Sequence, residues 1–124
     1  MAKTNQMRIL VVDDDEFIRA ACLLILSGAG HEVTVTVNGV AALQRLKSAQ
    51  FDLVLADIEM PMLDGFGLYS TVLQDYPYLT GRFLFITGRM NAAKEEILSK
   101  WNATYILKPF SVKELLLRVG AFML

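Results

Sequence analysis

Asp13, Asp14, Asp57, Thr87 and Lys108 each stand where an apolar run gives way to polar sequence. The runs are Ile9-Leu10-Val11-Val12, Asp52 to Ala56, Arg82 to Ile86 and Tyr105 to Leu107. If the run ends share one rim, three carboxylates, a hydroxyl and an ammonium converge there. Clustered carboxylates repel one another, raise each other's pKa and favour a hard cation. Magnesium suits such a group, because it takes one or two carboxylates and leaves positions for water, a carbonyl and a phosphate oxygen. A carboxylate can also be the nucleophile that accepts a phosphoryl group, while a lysine and a hydroxyl hold the oxygens being transferred.

The elements between these residues explain how they could meet. Ile9 to Val12 is short, continuous and apolar, the pattern of a buried strand. From Asp15 or Glu16 a helical pattern places Phe17, Ile18, Ala21, Leu24 and Ile25 on one face, until Gly28-Ala29-Gly30 stops it. The alternation then repeats. Strands are predicted at Val33 to Val37, Asp52 to Ala56, Arg82 to Ile86 and Tyr105 to Leu107. Helices are predicted after Asn38-Gly39, over Gly65 to Tyr76, Asn91 to Trp101 and Val112 to Met123. Five strands alternating with five helices imply a doubly wound α/β domain with right-handed crossovers. In such sheets the ligand lies outside the carboxyl ends of the strands, where the five residues fall.

These residues also carry a family pattern. Val11-Val12-Asp13-Asp14, the segment Asp57-Ile58-Glu59-Met60-Pro61-Met62-Leu63-Asp64-Gly65, Ile86-Thr87-Gly88, Tyr105 and Lys108-Pro109-Phe110 occur in order from Arg8 to the C-terminus. Together they resemble the receiver domain of two-component response regulators. The resemblance implies a flavodoxin-like parallel sheet of order 2-1-3-4-5 and a single receiver domain over residues 1–124. It makes Asp57 the phosphoacceptor, with Asp13 and Asp14 holding Mg2+ together with Asp57 and the backbone carbonyl of Glu59. Lys108 would pair with the phosphoryl group, Thr87 would donate its hydroxyl to it, and Tyr105 would be the aromatic switch. The Lys108-Pro109 bond is expected to be cis. The implied partners are a sensor histidine kinase or phosphotransfer protein and a downstream effector, reached through the face of the fourth helix, fifth strand and fifth helix. A homodimer stays open. The resemblance describes a phosphoacceptor that assists its own phosphorylation and dephosphorylation, not a turnover enzyme.

Composition narrows the alternatives. At 124 residues the chain has room for about one domain of the usual ~150 residues. Twelve Lys and Arg against thirteen Asp and Glu give a net charge of −1, without the basic footprint of a nucleic-acid or anionic-membrane binder. Hydrophobic residues make up 54%, yet no charge-free stretch approaches the ~18 residues of a membrane span. A parallel sheet covered on both faces accounts for that apolar surplus. The lone Cys22 and the polar segment Met1 to Arg8, which lacks the apolar core of a signal peptide, lead to a cytoplasmic expectation.

Two rival functions share some of these residues. A haloacid-dehalogenase-type phosphatase would read Asp13-x-Asp15 as its acid pair, with Thr87 and Lys108 following, but the only acid after Lys108 is Glu114, inside a predicted helix. A degenerate receiver would bind without phosphorylation, although no member of the active set is missing. A dinucleotide site fails because Asp13-Asp14-Asp15-Glu16 has no glycine and would repel a pyrophosphate.

Simpler roles are expected elsewhere. Asp15 reads as a helix cap, His31 as a surface turn residue, Cys22 as a small helix-face residue, and Met60 and Met62 as packing residues. Phe83 and Phe85 read as core, and Asn102 as a left-handed helix stop. Glu59 and Arg89 are expected to border the mouth of the site. There they could pair and obstruct hydrolytic water; alternatively Glu59 orients that water, or the two side chains point apart.

Overall fold

The computed structural model describes residues 6–123. Strands β1 (Arg8–Val12), β2 (Glu32–Thr36), β3 (Leu53–Asp57), β4 (Phe83–Thr87) and β5 (Thr104–Leu107) alternate with helices α1 (Glu16–Gly28), α2 (Gly39–Ser48), α3 (Gly65–Asp75), α4 (Ala92–Lys100) and α5 (Val112–Gly120). All strand pairs are parallel, in the order β2-β1-β3-β4-β5. The predicted alternation and strand order therefore hold. A 3-10 turn at Pro77–Leu79 was not predicted, and α5 stops at Gly120 rather than continuing to Met123.

Period-two alternation divides the core between the two faces of the sheet. Leu10, Val12, Val54, Ala56, Phe83 and Phe85 pack with Ala42, Leu46, Leu68, Tyr69, Val72 and Leu98 from α2, α3 and α4. On the other face Ile9, Val11, Leu53, Leu55, Leu84, Ile86 and Ile106 meet Cys22 and Leu26 of α1 and Leu115 and Val119 of α5. β3 and β4 are buried along their whole length, as their unbroken apolar sequence requires. Each fully buried large side chain contributes roughly 1.5–3 kcal/mol. The aromatic group Phe66, Tyr69, Phe85 and Trp101 joins α3, β4 and the end of α4, with ring centroids 4.7 Å apart for Tyr69 and Trp101 and 5.5 Å for Phe66 and Phe85.

Local sequence sets the helix ends. Asp15, Asn38, Asp64, Asn91 and Ser111 cap α1 to α5, each accepting a backbone N–H two or three residues on. Gly30, at φ +98°, lets the N–H of His31 reach the Leu26 carbonyl and close α1. Asn102 takes φ 53° and stops α4 as expected, and Lys108-Pro109 is cis.

Four expectations need correction. Phe17 and Leu24 are 79% and 77% exposed, because the inward face of α1 is centred on Cys22 and Leu26. Counting apolar residues could not locate that face, since this helix is apolar on most sides. Met62 is also exposed, at φ 71°, whereas Met60 packs. His31 is not a surface residue: it is 8% exposed, and its Nδ1 accepts the Met7 N–H at 3.0 Å. Burial lowers its pKa. The fourth correction concerns Glu59 and belongs to the site.

Candidate functional site at the strand ends

Adjacent central strands deliver the acids to one rim. β1 and β3 pair side by side, with Val12 beside Ala56, so Asp13 and Asp57 leave the sheet as neighbours. Both are buried, at 0% and 3% exposure, while Asp14 is exposed. One carboxylate oxygen from each of Asp13, Asp14 and Asp57 falls within 4.8 Å of the others. Thr87 and Lys108 arrive from β4 and from just beyond β5. The structure thus gathers all five residues singled out at the run ends.

Lys108 is the hub of the acidic group. Its Nζ lies 3.0 Å from Asp13 Oδ2 and 3.3 Å from Asp57 Oδ2. Asp13 Oδ1 accepts the Asp15 N–H at 2.9 Å, and Asp57 Oδ1 accepts the Glu59 N–H at 3.2 Å. Asp13 Oδ2 is buried and, among the described residues, receives no aligned hydrogen bond, so its contact with Lys108 is Coulombic. Burial is costly for both carboxylates. It raises the pKa of Asp13 against the opposing pull of the Asp15 N–H and Lys108. Burial and the Asp13 charge push Asp57 up to about 7, although Lys108 and the Glu59 N–H oppose the shift. For Lys108, burial acts downward, but its close contacts with the Asp13 and Asp57 carboxylates outweigh it and raise the pKa.

This donor set fits a hard divalent cation. The donors are all oxygen, two of the three carboxylates are buried with raised pKa values, and one buried oxygen lacks a hydrogen bond.

The loop after Asp57 is held by close backbone packing. A Cβ on Gly65 would stand 2.4 Å from the Asp57 carbonyl oxygen, so only glycine lets α3 start there. The Gly65 N–H donates to the Ile58 carbonyl, and Asp64 caps the helix.

Glu59 does not pair with Arg89. Its carboxylate forms an ion pair with Lys94 of α4 and accepts from the Thr87 hydroxyl at 2.9 Å. Arg89 meets this group through its backbone: its carbonyl accepts from Lys94 Nζ at 2.6 Å and lies 2.8 Å from Thr87 Oγ1. Lys94 was missed in the sequence. The available signal was a lysine in the first turn of a helix, where the macrodipole disfavours a cation. Tyr105 is half-buried on β5 beside Phe85, and its carbonyl accepts from Arg118. Asp15, the second acid of the phosphatase alternative, is exposed and caps α1 by accepting the Phe17 N–H.

Comparison with known proteins agrees with this geometry. The profile of the response regulator receiver domain matches residues 9–120. The chain belongs to the response regulator receiver domain family. Among curated relatives, the response regulator receiver protein CpdR of Brucella abortus is 35% identical over 109 residues, covering 87% of this chain and 89% of CpdR. The response regulator protein FleR of Pseudomonas aeruginosa is 33% identical and covers 88% of this chain. The chain spans only 23% of FleR and 50% of ResD, the transcriptional regulatory protein of Bacillus subtilis. Among solved structures, the chemotaxis protein CheY4 of Vibrio cholerae superposes with a TM-score of 0.88 at 28% identity, covering 95% of this chain and 99% of CheY4. The response regulator TrrA of Thermotoga maritima, solved in complex with Mg(2+)-BeF, gives 0.80 at 32% identity, covering 94% of this chain and 98% of TrrA. Membership in this receiver family places the chain in two-component signalling. Among the described residues, no helix is long and apolar enough to cross a membrane.

Proposed function

We propose that the chain is one receiver domain that accepts a phosphoryl group on Asp57 from a histidine kinase or phosphotransfer protein. The observation that carries this reading is the placement of the Lys108 ammonium between the buried Asp13 and Asp57 carboxylates, at 3.0 and 3.3 Å. An Asp57 oxygen attacks the donor phosphorus, the bond from phosphorus to the donor breaks, and the donor leaves with that electron pair. Lys108 neutralises charge on the transferred oxygens, and the Thr87 hydroxyl donates to one of them. Asp13, Asp14, Asp57 and the Glu59 carbonyl would hold Mg2+, which when bound supplies charge neutralisation at the acidic rim.

The output follows from the added charge. Thr87 turns toward the phosphorylated Asp57, Tyr105 moves into the space released, and the face of α4, β5 and α5 changes its binding to an effector. TrrA, solved with Mg(2+)-BeF, supports the assignment of a metal and a phosphoryl-like group to this class of site. Intact-mass analysis after incubation with acetyl phosphate and magnesium tests the reading. One phosphoryl group on wild type and none on Asp57→Asn is expected, and equal labelling of both would refute it.

A further inference from the structure

A hydroxyl carries one proton, so the Thr87 hydroxyl can donate to only one acceptor at a time. Two groups already compete for it. The Glu59 carboxylate oxygens lie 2.9 and 3.1 Å from Thr87 Oγ1, and the Arg89 carbonyl oxygen lies 2.8 Å away. The oxygen's accepting side is also engaged, by the Arg89 N–H at 3.3 Å and by Lys94 Nζ at 3.4 Å. Thr87 is fully buried, so this set leaves no place for solvent.

Lys94 is common to both competing acceptors. Its ammonium forms the ion pair with Glu59 and donates to the Arg89 carbonyl at 2.6 Å. The Lys94 side chain is only 17% exposed, whereas that of Glu59 is 48% exposed. Without Lys94, nothing in this group ties the Glu59 carboxylate over Thr87 except Thr87 itself, and water can solvate it instead.

We propose that Lys94 is a positioning residue that keeps the Thr87 hydroxyl proton on Glu59 and Arg89 in the unphosphorylated state. Serving an acyl phosphate on Asp57 requires the hydroxyl to leave those acceptors, so the clamp opposes the switch. It also links the start of α4 to the loop after Asp57, because Lys94 and Glu59 belong to those two segments. Releasing Thr87 therefore loosens α4 at its first turn, while Trp101 keeps the other end packed against Tyr69. The inference rests on the assignment of Asp57 as phosphoacceptor and Thr87 as the hydroxyl that serves it.

Charge alone predicts the opposite effect, which makes the proposal testable. Lys94→Gln removes a cation near an incoming anion, so a purely electrostatic role, or direct contact of Lys94 with the phosphoryl group, weakens binding. Release of the clamp strengthens it. Calorimetric titration with beryllofluoride and magnesium compares wild type, Lys94→Gln, Lys94→Arg, Glu59→Ala and the double variant Glu59→Ala/Lys94→Gln, each checked for folding by its melting transition. Lys94→Gln should bind about fivefold more tightly, the size of one net hydrogen bond. Lys94→Arg, which retains the cation, should stay near wild type. In the Glu59→Ala background the gain from Lys94→Gln should be smaller than in wild type, because only the Arg89 carbonyl is left to compete for the hydroxyl. Before any ligand is added, the Thr87 and Arg89 amide resonances of Lys94→Gln should lie toward their beryllofluoride-bound positions. Equal or weaker binding by Lys94→Gln, with wild type binding normally, would overturn the clamp alone. Failure of wild type to bind, or undiminished binding by Asp57→Asn, would overturn the phosphoacceptor reading and the clamp with it.

Discussion

The Lys108 ammonium stands 3.0 Å from Asp13 Oδ2 although two whole strands, β3 and β4, separate the strand ends that carry them. A long flexible side chain is needed to cross that distance, and lysine ends in a compact charge that two carboxylates can share. Asp57 lies on β3, within the span Lys108 crosses, and its Oδ2 is the second partner at 3.3 Å.

Lys108→Met should therefore slow phosphorylation of Asp57 by acetyl phosphate about a hundredfold, the usual cost of removing one electrostatic donor from a reacting centre. The rate is read from the mass of the intact protein over time. A change of less than twofold would show that Lys108 only balances charge in the resting fold.

Asp57 shapes the pH dependence of stability. Its folded pKa is raised from 3.8 to about 7, so the folded state binds a proton that the unfolded chain releases. The associated stability is fully present below pH 3.8 and is lost as pH rises through about 7. Asp57→Asn cannot ionise, so in metal-free buffer at pH 7.5 it should unfold at a higher temperature than wild type, by roughly 4 °C for each kcal/mol gained. Thermal melts at pH 5 and 7.5 check this, and the gap should narrow at the lower pH.

Magnesium should remove part of the same penalty. Binding only to the folded form stabilises it by about 2.7 kcal/mol at a concentration of 100 Kd. The melting temperature of wild type should rise with magnesium, and that of Asp14→Ala should rise much less. Equal rises would place the ion away from the three carboxylates.

His31 acts at the opposite end of the sheet. Its Nδ1 accepts the Met7 N–H, and burial lowers its pKa below 6.5. The stability this provides is present above pH 6.5 and is lost as pH falls through the depressed folded value. NMR titration of the imidazole should give a midpoint below 6.5. His31→Asn, which keeps an acceptor but does not titrate, should lose less stability than wild type between pH 6.5 and 5.

The sequence exposed the sheet because β3 and β4 are apolar without interruption and end at single polar residues, Asp57 and Thr87. It exposed the helix starts because each cap is an Asp, Asn or Ser side chain acting on its own backbone within three residues. Features that depend on which way a side chain turns were not legible. Phe17 and Leu24 fit the helical period, but the inward direction of α1 is set by contact with the sheet and α5. His31 lies in a turn whose burial depends on Met7, far away in sequence. The partner of Glu59 was not legible either, because only the path of the chain from β4 into α4 brings the Lys94 ammonium, rather than the Arg89 side chain, to it.

Locating the acyl phosphate within the chain is the decisive test of Asp57 as the phosphoacceptor. After labelling with acetyl phosphate and magnesium, borohydride reduces a phosphorylated aspartate to homoserine, which tandem mass spectrometry of the digested protein assigns to a residue. Homoserine is expected at position 57 alone. Homoserine at Asp13, Asp14 or Asp64, with position 57 unmodified, would contradict it.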